Sequence, residues 1–70
     1  MKMIPLASSN IHSVGYNEGN KVLRVMFSTG TMYDYSGIPI EVFKGMKKTE
    51  SPGKYFREFV KGKYQFSKVI

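Results

Sequence analysis

The stretch Lys21-Val22-Leu23-Arg24-Val25-Met26-Phe27-Ser28-Thr29-Gly30-Thr31-Met32-Tyr33-Asp34-Tyr35 decides the fold. Its first seven residues are rich in β-branched and large apolar side chains, and Tyr33-Asp34-Tyr35 alternates aromatic with charged, so 21–27 and 31–35 read as two strands. Ser28-Thr29-Gly30 between them is a hairpin connection, with Gly30 for the positive φ that a tight turn demands. So short a link makes the two strands antiparallel. Alternation puts Leu23, Val25 and Phe27 on one face and Val22, Arg24 and Met26 on the other, which the arginine marks as the wetter. Tyr33 and Tyr35 point together, opposite Asp34, and belong with Leu23, Val25 and Phe27.

Upstream, Ile11-His12-Ser13-Val14-Gly15-Tyr16 reads as a first strand, joined through Asn17-Glu18-Gly19-Asn20 with Gly19 expected at positive φ. Unbroken alternation turns Val14 and Tyr16 to the core, draws His12 with them and leaves Ile11, Ser13 and Gly15 outside. The three strands form a meander over roughly 10–36. Downstream the period changes. Pro39 fits a first helical turn, and Ile40, Phe43 and Met46 or Lys47 follow at helical spacing, predicting a helix over about 39–48. Ser51 as N-cap and Pro52 at the first position open a second helix over about 52–62, with Tyr55, Phe56, Phe59, Val60 and Tyr64 as a broad apolar stripe. The expected class is α+β: a three-stranded antiparallel meander followed by two helices packed on one sheet face, βββαα. The expected core is Val14, Leu23, Val25, Phe27, Tyr35, Phe43, Phe56, Phe59 and Val60. The tail from Lys63 to Ile70 alternates weakly and reads as an added strand or an oligomer contact.

Seventy residues with 41% hydrophobic positions make one domain, 1–70, with its core at about 8–64 and a tail at 65–70. The absence of cysteine excludes a disulfide framework, a thiolate metal site and a cysteine nucleophile, and makes the cytoplasm the expected location. No apolar run reaches the length of a signal peptide core or of a membrane span, so no membrane partner is expected.

Ser8-Ser9-Asn10-Ile11, then Val14-Gly15-Tyr16, Leu23-x-Val25-x-Phe27, Gly30-x-x-Tyr33-x-Tyr35, Pro39, Phe43 and Ser51-x-Gly53-x-Tyr55-Phe56 resemble the KTSC domain family. The resemblance runs from about residue 8 to 64, with Thr49 standing where the family pattern has alanine. It implies a small stand-alone bacterial or phage protein, or a module of the kind found at the C-terminus of some lysyl-tRNA synthetases. Through that second setting it implies RNA as a ligand.

Neither a catalytic group, a metal nor a cofactor is expected. His12 is a base only if Glu18 or Asp34 reaches it, and the carboxylates show no ligand spacing. Charge carries more information. The chain has 11 Lys+Arg against 5 Asp+Glu, and residues 41–70 hold eight of those cations. In the second helix Lys54, Arg57 and Lys61 recur at i, i+3, i+7 along one face and can follow a phosphate backbone; Arg24, Lys44, Lys47 and Lys48 complete the expected basic surface. The other reading of that face is a solvated one. Tyr33 and Tyr35 either stack bases or pack in the core. A polar or anion pocket is expected where Ser9, Asn10, Tyr33, Ser51 and Gly53 meet. The leading function is a non-enzymatic module binding RNA or single-stranded nucleic acid. The alternatives are a protein-interaction or accessory module, self-associating through Met1, Met3, Phe66, Val69 and Ile70, and sequestration of a small anionic nucleotide.

Overall fold

The computed structural model describes all seventy residues. Along the chain run β1 (Ile4–Pro5), β2 (Ile11–Asn17), β3 (Val22–Phe27), β4 (Met32–Tyr35), α1 (Ile40–Lys48), α2 (Pro52–Phe59) and β5 (Phe66–Lys68). The strands form one antiparallel sheet in the order β1-β2-β3-β4-β5. The meander of β2, β3 and β4 stands as expected, and Leu23 pairs with Tyr35 and Val25 with Tyr33, so the tyrosines share the Leu23 face. The sheet nevertheless has five strands rather than three. β1 is two residues long and β5 three, too short for a period-2 pattern to declare itself, and the tail is therefore part of the sheet.

A bulge in β2 overturns the expected facing of its first half. Ile11 pairs with Phe27 but Ser13 pairs with Met26, so His12 is an extra residue and the alternation slips by one. Ile11 is thereby buried together with Val14, and His12 faces solvent. Ser13 and Gly15 do lie on the outer face, yet that face is covered. The N-terminal segment crosses β2 there, and a Cβ on Gly15 would fall 2.7 Å from the Met3 sulfur and 2.9 Å from the Lys2 carbonyl. In the next row Arg24 pairs with Asp34 across the strands, donating Nε to Oδ1 at 2.7 Å and an Nη to Oδ2 at 2.9 Å.

The β2–β3 turn departs from expectation in the same local way. Asn17 Oδ1 accepts from the Gly19 N–H at 2.9 Å and organises the turn, and the positive φ falls on Lys21 (55°) rather than on Gly19.

Both helices cover the inner face. The buried cluster joins Ile11, Val14, Leu23, Val25 and Tyr35 of the sheet to Ile38, Met46, Phe56 and Val60. Pro39 is the N-cap of α1, and Ile38 before it is fully buried. Thr49, the residue that departs from the family pattern, ends α1, and its Oγ1 accepts from the Ser51 N–H at 3.1 Å. α2 presents Pro52, Phe56 and Val60 to the sheet, the i, i+4, i+8 ridge of one face. Tyr55 lies on the neighbouring ridge against Gly45 of α1, where a Cβ would overlap its ring. One turn further on, Phe59 lies tilted against Tyr55, ring centroids 4.6 Å apart, and is 48% exposed, outside the core expected for it. α2 also stops earlier than expected, at Phe59, and Gly62 at φ 77° turns the chain toward β5.

Candidate functional site

A groove follows α2 along the side that faces the start of β2 and the β3–β4 hairpin. Three hollows of about 330, 310 and 380 Å³ make it up. The first lies between Ser8-Ser9-Asn10 and Ser51-Pro52-Gly53, beside Lys54 and Arg57. Asn10, Gly53 and Arg57 also border the second, with Phe27, Phe56 and Lys61. The last three border the third as well, with Tyr33, Tyr35 and Phe66. Each hollow thus shares part of its wall with the next.

Local structure explains the first hollow. Ser8 Oγ accepts from the N–H groups of Asn10 and Ile11, both at 3.2 Å, and so holds the bend into β2. Asn10 is thereby laid against the first turn of α2, its Nδ2 3.3 Å from where a Gly53 Cβ would stand. Gly53 accordingly answers to a close approach, and any larger residue there would press on Asn10. Four of the five residues expected in a polar pocket, Ser9, Asn10, Ser51 and Gly53, do meet here. Tyr33 does not: it lies at the far end of the groove, one pleat along from Tyr35, beyond Phe27. Ser51 holds the N-cap position without a side-chain capping bond.

The cations divide into three groups. Lys54, Arg57 and Lys61 are exposed and line the groove. Lys44, Lys47 and Lys48 of α1 border none of the hollows, and Lys47 Nζ sits 4.5 Å over the Phe43 ring. Arg24 leaves the expected basic surface altogether. It lies on the opposite sheet face, and its hydrogen bonds to Asp34 hold the guanidinium still more firmly protonated while neutralising its charge. That is the one ion pair in the molecule, so the three cations of the groove have no carboxylate partner. Glu50 reaches the rim of the first hollow, whereas the second and third have no acidic residue in their walls.

The third hollow is an aromatic enclosure. Phe27 meets Tyr33 edge-on at 5.9 Å and Phe56 at 5.4 Å, and Phe56 meets Tyr35 edge-on at 5.4 Å. Phe66 closes the ring of contacts against Tyr33 (5.7 Å, 78°) and Tyr35 (5.6 Å, 37°), yet is itself 61% exposed. Burial pushes the Tyr35 hydroxyl above the ordinary tyrosine range. Phe66 and Lys68, which pairs with Tyr33, were not among the site residues expected from sequence. The weak alternation of the tail was their only signal.

His12 Nδ1 lies 3.1 Å from the Ser13 Oγ, and Asp34, one of the two carboxylates considered for orienting it, is bound to Arg24. Of the residues expected to self-associate, Met1 and Met3 lead into the edge strand β1, whereas Phe66, Val69 and Ile70 belong to the opposite edge, where the Val69 N–H donates to the Met32 carbonyl. No helix is long and apolar enough to cross a membrane.

An antiparallel five-stranded sheet with two helices on one face defines a small α+β domain, with a basic, aromatic groove beside the second helix. The chain belongs to the KTSC domain family, which matches residues 7–64. The crystal structure of a KTSC domain protein from Yersinia pestis superposes with a TM-score of 0.92, covering 99% of this chain and 97% of that one at 31% identity. An uncharacterized protein of Stutzerimonas stutzeri is 36% identical over 61 residues, 87% of this chain and 86% of the relative. A lysine–tRNA ligase of Nostoc punctiforme is 30% identical over 61 residues, and there the chain spans 11% of the enzyme's length.

Proposed function

We propose that this domain is a non-enzymatic module that binds RNA or single-stranded nucleic acid along the α2 groove. The observation that carries the reading is the alignment of three unpaired cations, Lys54, Arg57 and Lys61, beside a wall of aromatic rings. Cations at successive turns neutralise phosphates, and rings at the same groove offer surfaces to unpaired bases; together they are the two elements of single-strand binding. The lysine–tRNA ligase of Nostoc punctiforme supports RNA as the ligand, since that enzyme acts on a tRNA and carries a region similar to this chain. The groove has few groups suited to reading base edges, so sequence preference is slight. Lys44, Lys47 and Lys48 add long-range attraction from α1 without lining the groove.

Titration of short RNA and DNA single strands at increasing salt tests this. The expected result is an affinity that falls steeply with salt and drops further when Lys54→Glu and Arg57→Glu are combined. Absence of binding to any oligonucleotide at low salt would overturn it.

A further inference from the structure

We infer that Phe66 and Tyr33, flanked by Lys61 and Lys68, form a stacking seat for one unpaired base of the bound strand. The inference rests on the nucleic-acid reading above and assigns the aromatic end of the groove a task of its own.

Phe66 lies on β5, three residues long and exposed throughout, and contributes less to the core than any other ring of its cluster. Phe66 is 61% exposed, yet it is held in place, edge-on to Tyr33 and tilted over Tyr35. Residues directly opposite on antiparallel strands share a face, so Phe66, Tyr35, Tyr33 and Lys68 project from the same side of the sheet. The three rings border the 380 Å³ hollow together with Lys61, and Lys68 stands outside it, paired with Tyr33. That volume is at the lower end for a small-molecule site and suits one base with its sugar.

Charge decides between occupants. An apolar side chain of a protein partner would also fill an aromatic hollow, but this one has no acidic residue in its walls and has Lys61 in them, with Arg57 in the adjoining hollow. Neither cation has an ion-pair partner. A planar ring that brings a phosphate with it satisfies both features at once.

The test compares wild type, Phe66→Ala and Phe66→Tyr against an RNA single strand, an RNA duplex and inorganic polyphosphate. Phe66 is exposed, so folding survives its truncation, and far-ultraviolet circular dichroism checks this. Expected is a roughly five- to hundredfold loss of single-strand affinity in Phe66→Ala with an unchanged salt slope, restored by Phe66→Tyr. Duplex and polyphosphate binding should be equal in all three proteins, because neither ligand offers an unstacked base. Unchanged single-strand affinity in Phe66→Ala would overturn the seat while leaving the nucleic-acid reading in place. Failure of the wild type to bind any RNA would overturn that reading and the seat with it.

Discussion

Around Phe43 a ring pair and a lysine close on one another, whereas around Phe66 rings and lysines stand about an open hollow. In the first cluster Tyr16 stacks on Phe43 at 5.1 Å and 15°, Lys47 covers the Phe43 ring, and the Tyr16 hydroxyl donates to the Ile38 carbonyl at 2.5 Å. Each group has a partner inside the molecule. In the second cluster the rings meet edge-on or tilted, Phe66 is largely exposed, and Lys61 has no carboxylate partner. Both are built from aromatic and cationic residues, so composition cannot separate them. Closure does: where such a cluster satisfies itself it contributes to the fold, and where it stays open it is free to take a ligand.

The largest effect should come from the core beneath both clusters. Leu23 is fully buried and pairs with Tyr16 of one cluster and Tyr35 of the other. Leu23→Ala should cost about 2–5 kcal/mol, most of the stability of so small a domain. Thermal melts followed by near-ultraviolet circular dichroism should lose both clusters in one transition. Two separate transitions would break the comparison by showing that the clusters belong to independent units.

Phe43→Ala and Phe66→Ala then sharpen it. Phe43 is half-buried, stacked on Tyr16 and in contact with Lys47, so its truncation should cost about 2 kcal/mol in chemical denaturation; Phe66→Ala should cost under about 1 kcal/mol. The reverse order would mean that the open cluster supports the fold.

Tyr16 supplies a smaller, pH-dependent effect. Burial first, then the negative charges of Glu18 and Glu41, raise its hydroxyl pKa above the ordinary value. Since the folded state holds the proton more tightly than the unfolded chain, this contribution is complete below about pH 10 and is lost as pH rises through the folded value. Tyr16→Phe should cost about 1 kcal/mol at neutral pH through the lost bond to Ile38, and its stability should decline less steeply in alkali than that of wild type. Denaturant midpoints from pH 8 upward read both. Tyr35 and Tyr55, also raised by burial, leave the variant with a residual decline.

Much of the fold was legible because its central hairpin obeys simple rules. Leu23, Val25 and Tyr35 alternate without interruption, and Pro52 marks the start of α2 through its own backbone chemistry. What stayed hidden was decided by interactions distant in sequence or by a single residue. The bulge at His12 reverses the facing of Ile11 with no glycine to announce it, and Phe59, though in phase with the apolar stripe of α2, rests against Tyr55 at the surface and stays outside the core. The candidate site divides likewise. Lys54, Arg57 and Lys61 follow from helical spacing, and Ser9, Asn10, Ser51 and Gly53 from the ends of elements that meet. Arg24 was misplaced because its Asp34 partner is revealed only by strand register, and Phe66 was missed because three residues of edge strand carry too little pattern.

The central claim, that the open region binds and the closed one does not, is tested most directly by two charge-matched triple variants. One changes Lys54, Arg57 and Lys61 to glutamate; the other changes Lys44, Lys47 and Lys48, which lie outside the groove. Both remove the same net charge, so non-specific attraction falls equally. Binding of a single-stranded RNA measured across a range of salt should be abolished in the groove variant and retained, with a modestly weaker affinity, in the α1 variant. Equal loss in both would contradict the account, because binding would then follow total charge rather than the groove.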